Sequence, residues 1–440
     1  MSVNQSIKPI TAEVRAGHLF IGGCDTVDLV KQYGTPLYVI DEQTLRTVCR
    51  EYKQAFKVYP DVSVMYASKA LATSSVFKIV SDEGLGLDVV SGGEVYTARN
   101  AGVDMSRVLF NGNNKQRWEL ELAIDSGVGR VSVDNFYEIE LLSEVAKEKG
   151  KNVEVLLRVT PGIDCHTHQY IQTGQLDSKF GFDLSQIDEV IRLINSKGNL
   201  LLKGLHAHIG SQIFEIQAYR DEVRILVSEL ARINKAFSLN LNELNLGGGV
   251  GVKYVETDEP PNISDVANVI IDELKKVVTE KGLENVKIFV EPGRSIISTS
   301  GVTLYTVGSS KQVPNSTKYV AVDGGMADNP RHALYQAEYT CEVANKMDVA
   351  DRESVTVAGR YCESGDILVR NVSLPSMQAG DILCVYNTGA YNYSMENNYN
   401  RTTKNAMVLV NNSQSDIIVN RETLEDLISR DSIPDRLKEC

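Results

Sequence analysis

Between residues 62 and 293, short β-branched runs alternate with longer helix-like stretches, and this constrains the fold more than any other feature of the chain. The runs are VSVMYASK (62–69), LGLDVVS (85–91), RVLFNG (107–112), RVSVDN (130–135), VEVLLRV (153–159), LLKGLHAHI (201–209), LNELNLGGG (241–249) and KIFVEPG (287–293). Between them, stretches such as 136–149 and 218–237 repeat apolar residues at three and four positions, the helical period. Strands separated by helices must pair in parallel through crossovers, and eight such units match a (β/α)8 barrel; a doubly wound sheet is the competing arrangement.

Beyond residue 297 the texture changes to closely spaced runs, GVTLYTVGS, KYVAVDGG, ESVTVAG, GDILCVYN and AMVLVNN, which predict an antiparallel β domain. HLFIGG and PLYVID, within the first 40 residues, can supply strands to it. The expected organisation is therefore 1–40 as N-terminal strands joining the β domain, 41–296 as the α/β barrel, and 297–440 as the C-terminal β domain.

A chain with a net charge of −13 is poorly suited to neutralising a phosphate backbone, so nucleic acid is not an expected partner. No apolar stretch is long enough to span a membrane and the first residues lack a signal-peptide layout, so no membrane association and a cytoplasmic location are expected. The seven cysteines form no C-x-x-C pair, which signals neither a disulfide framework nor a cysteine zinc site.

Barrel enzymes place their chemistry at the C-terminal ends of the strands. Lys69, Asp88, His206 with His208, Gly247–Gly249, and Glu291 with Arg294 all fall at such ends. A lysine closing an apolar run places an amine where low dielectric favours Schiff-base chemistry, although a strand-end lysine also simply reaches solvent. Three glycines after a strand let backbone N–H groups approach a phosphate, or merely make a tight turn; neither the dinucleotide nor the Walker pattern is present. His206 and His208 share one strand face, and Cys165, His166 and His168 lie in a loop, so metal binding was weighed; the pattern fits known metal barrels poorly and no metal is expected.

Taken together, MYASKA, GLDVVSGGE, HAHIGSQ, NLGGG, EPGRS, GGMADNPRHALY, CESGD and GAYNYSMENNYN resemble the fold-type III pyridoxal-phosphate decarboxylases, in the family's order from about residue 20 to 410. The barrel motifs also suit ornithine or arginine decarboxylases, or one acting on a carboxylated polyamine; CESGD, R-x-A-L-Y and the GAYNYSMENNYN segment are similar to the diaminopimelate branch. That resemblance implies pyridoxal 5'-phosphate as cofactor and conversion of meso-2,6-diaminopimelate to L-lysine and carbon dioxide. It implies that Lys69 carries the cofactor, that His208 stacks on its ring, and that Glu291 faces the pyridine nitrogen. Ser211, Gly247, Gly248, Gly249, Gly293, Arg294 and Tyr391 would surround the phosphate, with Asp88 also in the cofactor-binding set. Arg294, Arg331, Tyr335 and Tyr391 would bind substrate, Glu363 would pair with its distal ammonium, and Cys362 would donate a proton. A homodimer with sites at the subunit interface is implied. Two departures from the common family pattern are Met326-Ala327-Asp328, where Met-Asn-Asp is usual, and Glu338-Tyr339, where an aromatic followed by histidine is frequent.

Overall fold

Each of the eight runs forms a strand in the computed structural model, which describes residues 2–163 and 179–438. The strands are β1 Val62–Ala67, β2 Gly86–Val89, β3 Val108–Phe110, β4 Arg130–Val133, β5 Val153–Thr160, β6 Leu200–His206, β7 Glu243–Asn245 and β8 Lys287–Val290. Every neighbouring pair is parallel. The ring closes where β8 pairs with β1, Ile288 opposite Val62 and Val290 opposite Val64. Met65, Leu109, Leu156 and Phe289, from β1, β3, β5 and β8, form one buried cluster. Residues so far apart around the ring meet only across its interior, so side chains fill the barrel.

The helix expected over 136–149 is observed at Phe136–Glu148, with the Asn135 side chain accepting from the Glu138 amide at 3.0 Å as its N-cap. Its apolar stripe, Ile139, Leu142, Val145 and Ala146, is buried, each large side chain contributing about 1.5–3 kcal/mol. Lys149 and the left-handed Gly150, with φ 61°, end it.

One strand departs from regular pairing. Between Leu202 and Gly204 the register of β6 against β5 shifts, so Lys203 is an extra residue in a bulge. A Cβ on Gly204 would lie 1.7 Å from the Glu243 carbonyl oxygen, so only glycine allows β6 and β7 to approach there.

The second unit comprises residues 8–43 and 300–440, while residues 1–7 group with 44–299. Residues 2–7 therefore depart from the expected N-terminal segment: Asn4 Nδ2 donates to the carbonyls of Gly251 and Pro261 at 2.9 and 2.8 Å. PLYVID supplies the strand Leu37–Asp41, antiparallel to Gly301–Gln312 and parallel to Ala406–Asn411. HLFIGG does not join that sheet; His18–Ile21 sits in a three-stranded sheet with Glu13–Arg15 and Cys24–Asp25. The larger sheet is mixed rather than purely antiparallel, since Lys318–Val322 also runs parallel to Glu353–Ala358. Short run spacing suggested hairpins, but residues 323–352 intervene between those two strands and allow the parallel return. Among the described residues no helix is long and apolar enough to cross a membrane.

Gly204→Ala should lower stability by about 3 kcal/mol or more, because the new methyl meets backbone that cannot rotate away. Gly308→Ala, whose Cβ comes no nearer than 3.7 Å to another group, should change it by less than about 0.5 kcal/mol. Denaturant midpoints of the two variants check this, and equal shifts would contradict it.

Candidate active site

The strand ends of the barrel carry a connected set of polar side chains. Glu291, just past β8, is buried, and its Oε1 accepts from Asn245 Nδ2 at 2.6 Å and from Asn111 Nδ2 at 3.1 Å. Asn111 Nδ2 also donates to Asp88 Oδ1 at 2.6 Å, so one amide links two carboxyl groups. His206 Nδ1 lies 2.8 Å from Ser132 Oγ, and its Nε2 faces Glu291 Oε2 at 3.3 Å in a geometry that falls short of a hydrogen bond. If the serine hydroxyl donates to Nδ1, the neutral ring carries its proton on Nε2, toward the carboxylate.

These contacts separate the two acids. Burial raises the pKa of Glu291, but His206 and the Asn245 hydrogen bond outweigh it and hold the group below the usual carboxylate range. Burial and the nearby Glu291 charge push Asp88 well above its usual value, opposed by Lys69 and Asn111. Burial also lowers the pKa of His206, so at neutral pH its help to Glu291 comes from the N–H dipole rather than a full charge. The two pKa values are thus driven apart, Glu291 downward and Asp88 upward.

The glycine loop is tied to the same carboxylate. Asn245 Oδ1 accepts from the Gly247 amide at 2.9 Å, and the Glu291 amide donates to the Gly247 carbonyl at 2.6 Å. Gly247 and Gly249 have φ of 59° and 106°, and a Cβ on Gly248 would lie 2.1 Å from the Glu291 carbonyl oxygen. The Gly248 amide donates to His208 Nδ1 at 3.3 Å, and burial followed by the Lys69 and Arg158 charges holds the His208 pKa well down, so this ring is neutral. Arg294 donates to Ser211 Oγ at 3.0 Å and to Tyr254 Oη at 2.9 Å. Gly293 lies against the end of β1, where a Cβ would come 2.9 Å from that of Ala67. Lys69, in the single turn Ser68–Ala70 that follows β1, is exposed.

The second unit holds the other candidates. Arg331 is buried in the short helix Arg331–Tyr335, with Tyr335 half-buried. Tyr391 has φ 64°. Cys362 and Glu363 are exposed in a loop pinned by Asp366, whose carboxylate accepts from the amides of Tyr361 and Met326, both at 2.7 Å. Cys165, His166 and His168 lie outside the described residues. Among those described, no group of three or more His, Cys, Asp and Glu side chains is arranged to hold a metal ion. Sequence reasoning missed Asn111, Asn245, Ser132 and Tyr254, and counted His206 only toward a metal site.

Residues 45–298 match the pyridoxal binding domain of pyridoxal-dependent decarboxylases. The diaminopimelate decarboxylase of Synechocystis is 47% identical, covering 99% of this chain and 95% of that protein, and that of Bacillus subtilis is 46% identical over 94% and 95%. The chain belongs to the diaminopimelate decarboxylase family. The crystal structure of the M. jannaschii diaminopimelate decarboxylase in complex with L-lysine superposes with a TM-score of 0.92, at 34% identity over 99% of this chain and all of that one. The chain is thus a pyridoxal-phosphate-dependent decarboxylase. Its barrel fits that cofactor: a primary amine, an ionised carboxylate, a hydroxyl bonded to a guanidinium, and a glycine loop with left-handed backbone all lie at the strand ends.

The depressed pKa of Glu291 implies a stability contribution present above the unfolded-state value near 4.5 and lost as pH falls below it. Apoprotein carrying Glu291→Gln should therefore be less stable than the native apoprotein by about 1–3 kcal/mol at pH 7, the gap closing below pH 4.5. Urea titrations at pH 7, 5 and 3.5 would measure it; a gap that widens with acid would refute the assignment.

Proposed function

We propose that the chain removes one carboxyl group of meso-2,6-diaminopimelate as carbon dioxide and releases L-lysine. The observation that carries this reading is identity of 46–47% to diaminopimelate decarboxylases over at least 94% of the chain, both units included. Ornithine and arginine lack a second carboxylate, and the buried guanidinium of Arg331 is suited to one.

When bound, pyridoxal phosphate supplies a ring that accepts the electron pair left on carbon as carbon dioxide departs. In this reading Lys69 holds the cofactor through its amine, and the ionised Glu291 faces the pyridine nitrogen and keeps it protonated. Asp88, whose pKa burial and the Glu291 charge push up, favours its neutral form beside it. The neutral ring of His208 covers one face of the cofactor without repelling the positive nitrogen. Arg294, Ser211, Gly247–Gly249, Gly293 and Tyr391 hold the phosphate. Arg331 and Tyr335, with Arg294, bind the carboxylate that is retained, and Glu363 pairs with the distal ammonium. Cys362 then delivers its thiol proton to the carbon that lost carbon dioxide, completing a C–H bond.

Cys362 and Glu363 are exposed in a loop of the second unit, which suits a homodimer in which Cys362 of the partner subunit completes each site. The five described cysteines are free thiols, in keeping with a reducing cytoplasm.

Carbon dioxide release from diaminopimelate should exceed that from lysine, ornithine and arginine by at least about 100-fold in kcat/KM, the discrimination expected when a buried charged site loses its partner. Comparable release from ornithine would instead favour the polyamine branch. Lys69→Ala and Cys362→Ala, each nearly inactive, should complement after mixing, unfolding and refolding. Random pairing makes about half the dimers mixed with one intact site each, so about a quarter of sites should recover. Mixed dimers seen by native mass spectrometry but without activity would show that each chain builds its own site.

A further inference from the structure

Arg331 is 7% exposed, so its guanidinium needs polar partners inside the fold. Its Nη1 donates to Tyr339 Oη at 2.7 Å, and its guanidinium carbon lies 5.7 Å from the centre of the same ring. The Tyr339 hydroxyl donates in turn to Asn392 Oδ1 at 3.3 Å. The direction of this relay is forced: a guanidinium only donates, so the hydroxyl oxygen accepts and its one proton passes to the amide oxygen. Tyr339 is 3% exposed and Asn392 fully buried, so neither polar group exchanges freely with water. Asn392 directly follows the left-handed Tyr391, which ties the relay to the GAYNYSMENNYN segment.

A hydroxyl is an unusual choice of brace for a buried arginine, since a carboxylate would compensate its charge better. It has one chemical advantage: being uncharged, it fixes one corner of the planar fork without itself neutralising the guanidinium. We propose that Tyr339, braced by Asn392, is the positioning residue for Arg331, and that this pair sets the preference for ligands bearing a carboxylate at the end remote from the reaction. The inference rests on reading Arg331 as the clamp for the retained carboxylate.

The test compares binding of two ligands to the holoenzyme by calorimetry. L-lysine keeps that carboxylate and 1,5-diaminopentane lacks it. Tyr339→Phe should weaken L-lysine about tenfold and change 1,5-diaminopentane less than about twofold; KM for diaminopimelate should rise about tenfold with kcat within about threefold. Asn392→Ala, which keeps the tyrosine ring in place, should show the same selective loss at about threefold and serves if the phenylalanine variant does not fold. Arg331→Ala separates the two levels of the argument. If it loses L-lysine selectively while Tyr339→Phe weakens both ligands equally or neither, the clamp stands and the positioning role falls. If Arg331→Ala itself shows no selectivity, the reading of the clamp fails and takes this inference with it. A lowered melting temperature with unchanged selectivity would reduce Tyr339 to packing and overturn the proposal.

Discussion

The ionisation of Glu291 is the interaction on which the barrel site depends. A buried carboxylate is stable only when donors converge on it. Here they come from the loop after β3 and from the end of β7, as Asn111 and Asn245, while His206 faces the second oxygen from the end of β6. Asn245 reaches Glu291 from the adjacent β7, and Asn111 reaches it once β8 closes against β1. Closure of the barrel therefore adds a donor to the anion, and the glycine loop is bound into the same network because Asn245 serves Glu291 with its nitrogen and the Gly247 amide with its oxygen.

Much of this was legible in the sequence, and the remainder was hidden for physical reasons. The eight strand runs were visible because parallel strands buried on both faces read as unbroken β-branched segments. Lys69, Asp88 and Glu291 were visible because charged residues at the ends of such runs are costly unless used. Asn111 and Asn245 carry no such signal: a single amide has no spacing rule, and its value appears only once a carboxylate sits within 3.1 Å. Asn245 directly precedes Leu246 and the glycine triplet, which is the one place where a closer reading could have found it. His206 was read as a metal candidate because alternation alone cannot say whether a histidine pair faces a cation or a carboxylate. The parallel returns in the second sheet were hidden because run spacing reports strand length, not pairing partner.

The second unit solves a different problem, holding exposed reactive groups without burying them. Cys362 and Glu363 are exposed, yet their loop is fixed from behind by Asp366, whose two oxygens accept backbone amides from Tyr361 and Met326. A Cβ on Gly325 or Gly359 would come within 2.3 or 2.2 Å of that carboxylate, so both glycines are there to let it approach. The loop is anchored through its backbone, which leaves the side chains of Cys362 and Glu363 unconstrained by the anchor. That arrangement suits the proposed homodimer, in which this loop would reach the partner's site.

The barrel also contains an acid that no donor serves. Glu222, in the helix Gln217–Phe237, is fully buried, and among the described residues neither carboxyl oxygen has a hydrogen-bond partner. Burial first, and then the charge of Glu291, pushes its pKa well up, which favours its protonated form. Leaving such a group unsatisfied costs about 1–3 kcal/mol. Three buried acids thus share the field of one site, and hydrogen bonding decides among them. His206, Asn245 and Asn111 favour Glu291 as the anion; Asp88 shares one of those amides, while Glu222 has no donor among the described residues. An ionised Glu222 would raise the pKa of Glu291 by like-charge repulsion, so a Glu222 without donors leaves Glu291 the favoured anion.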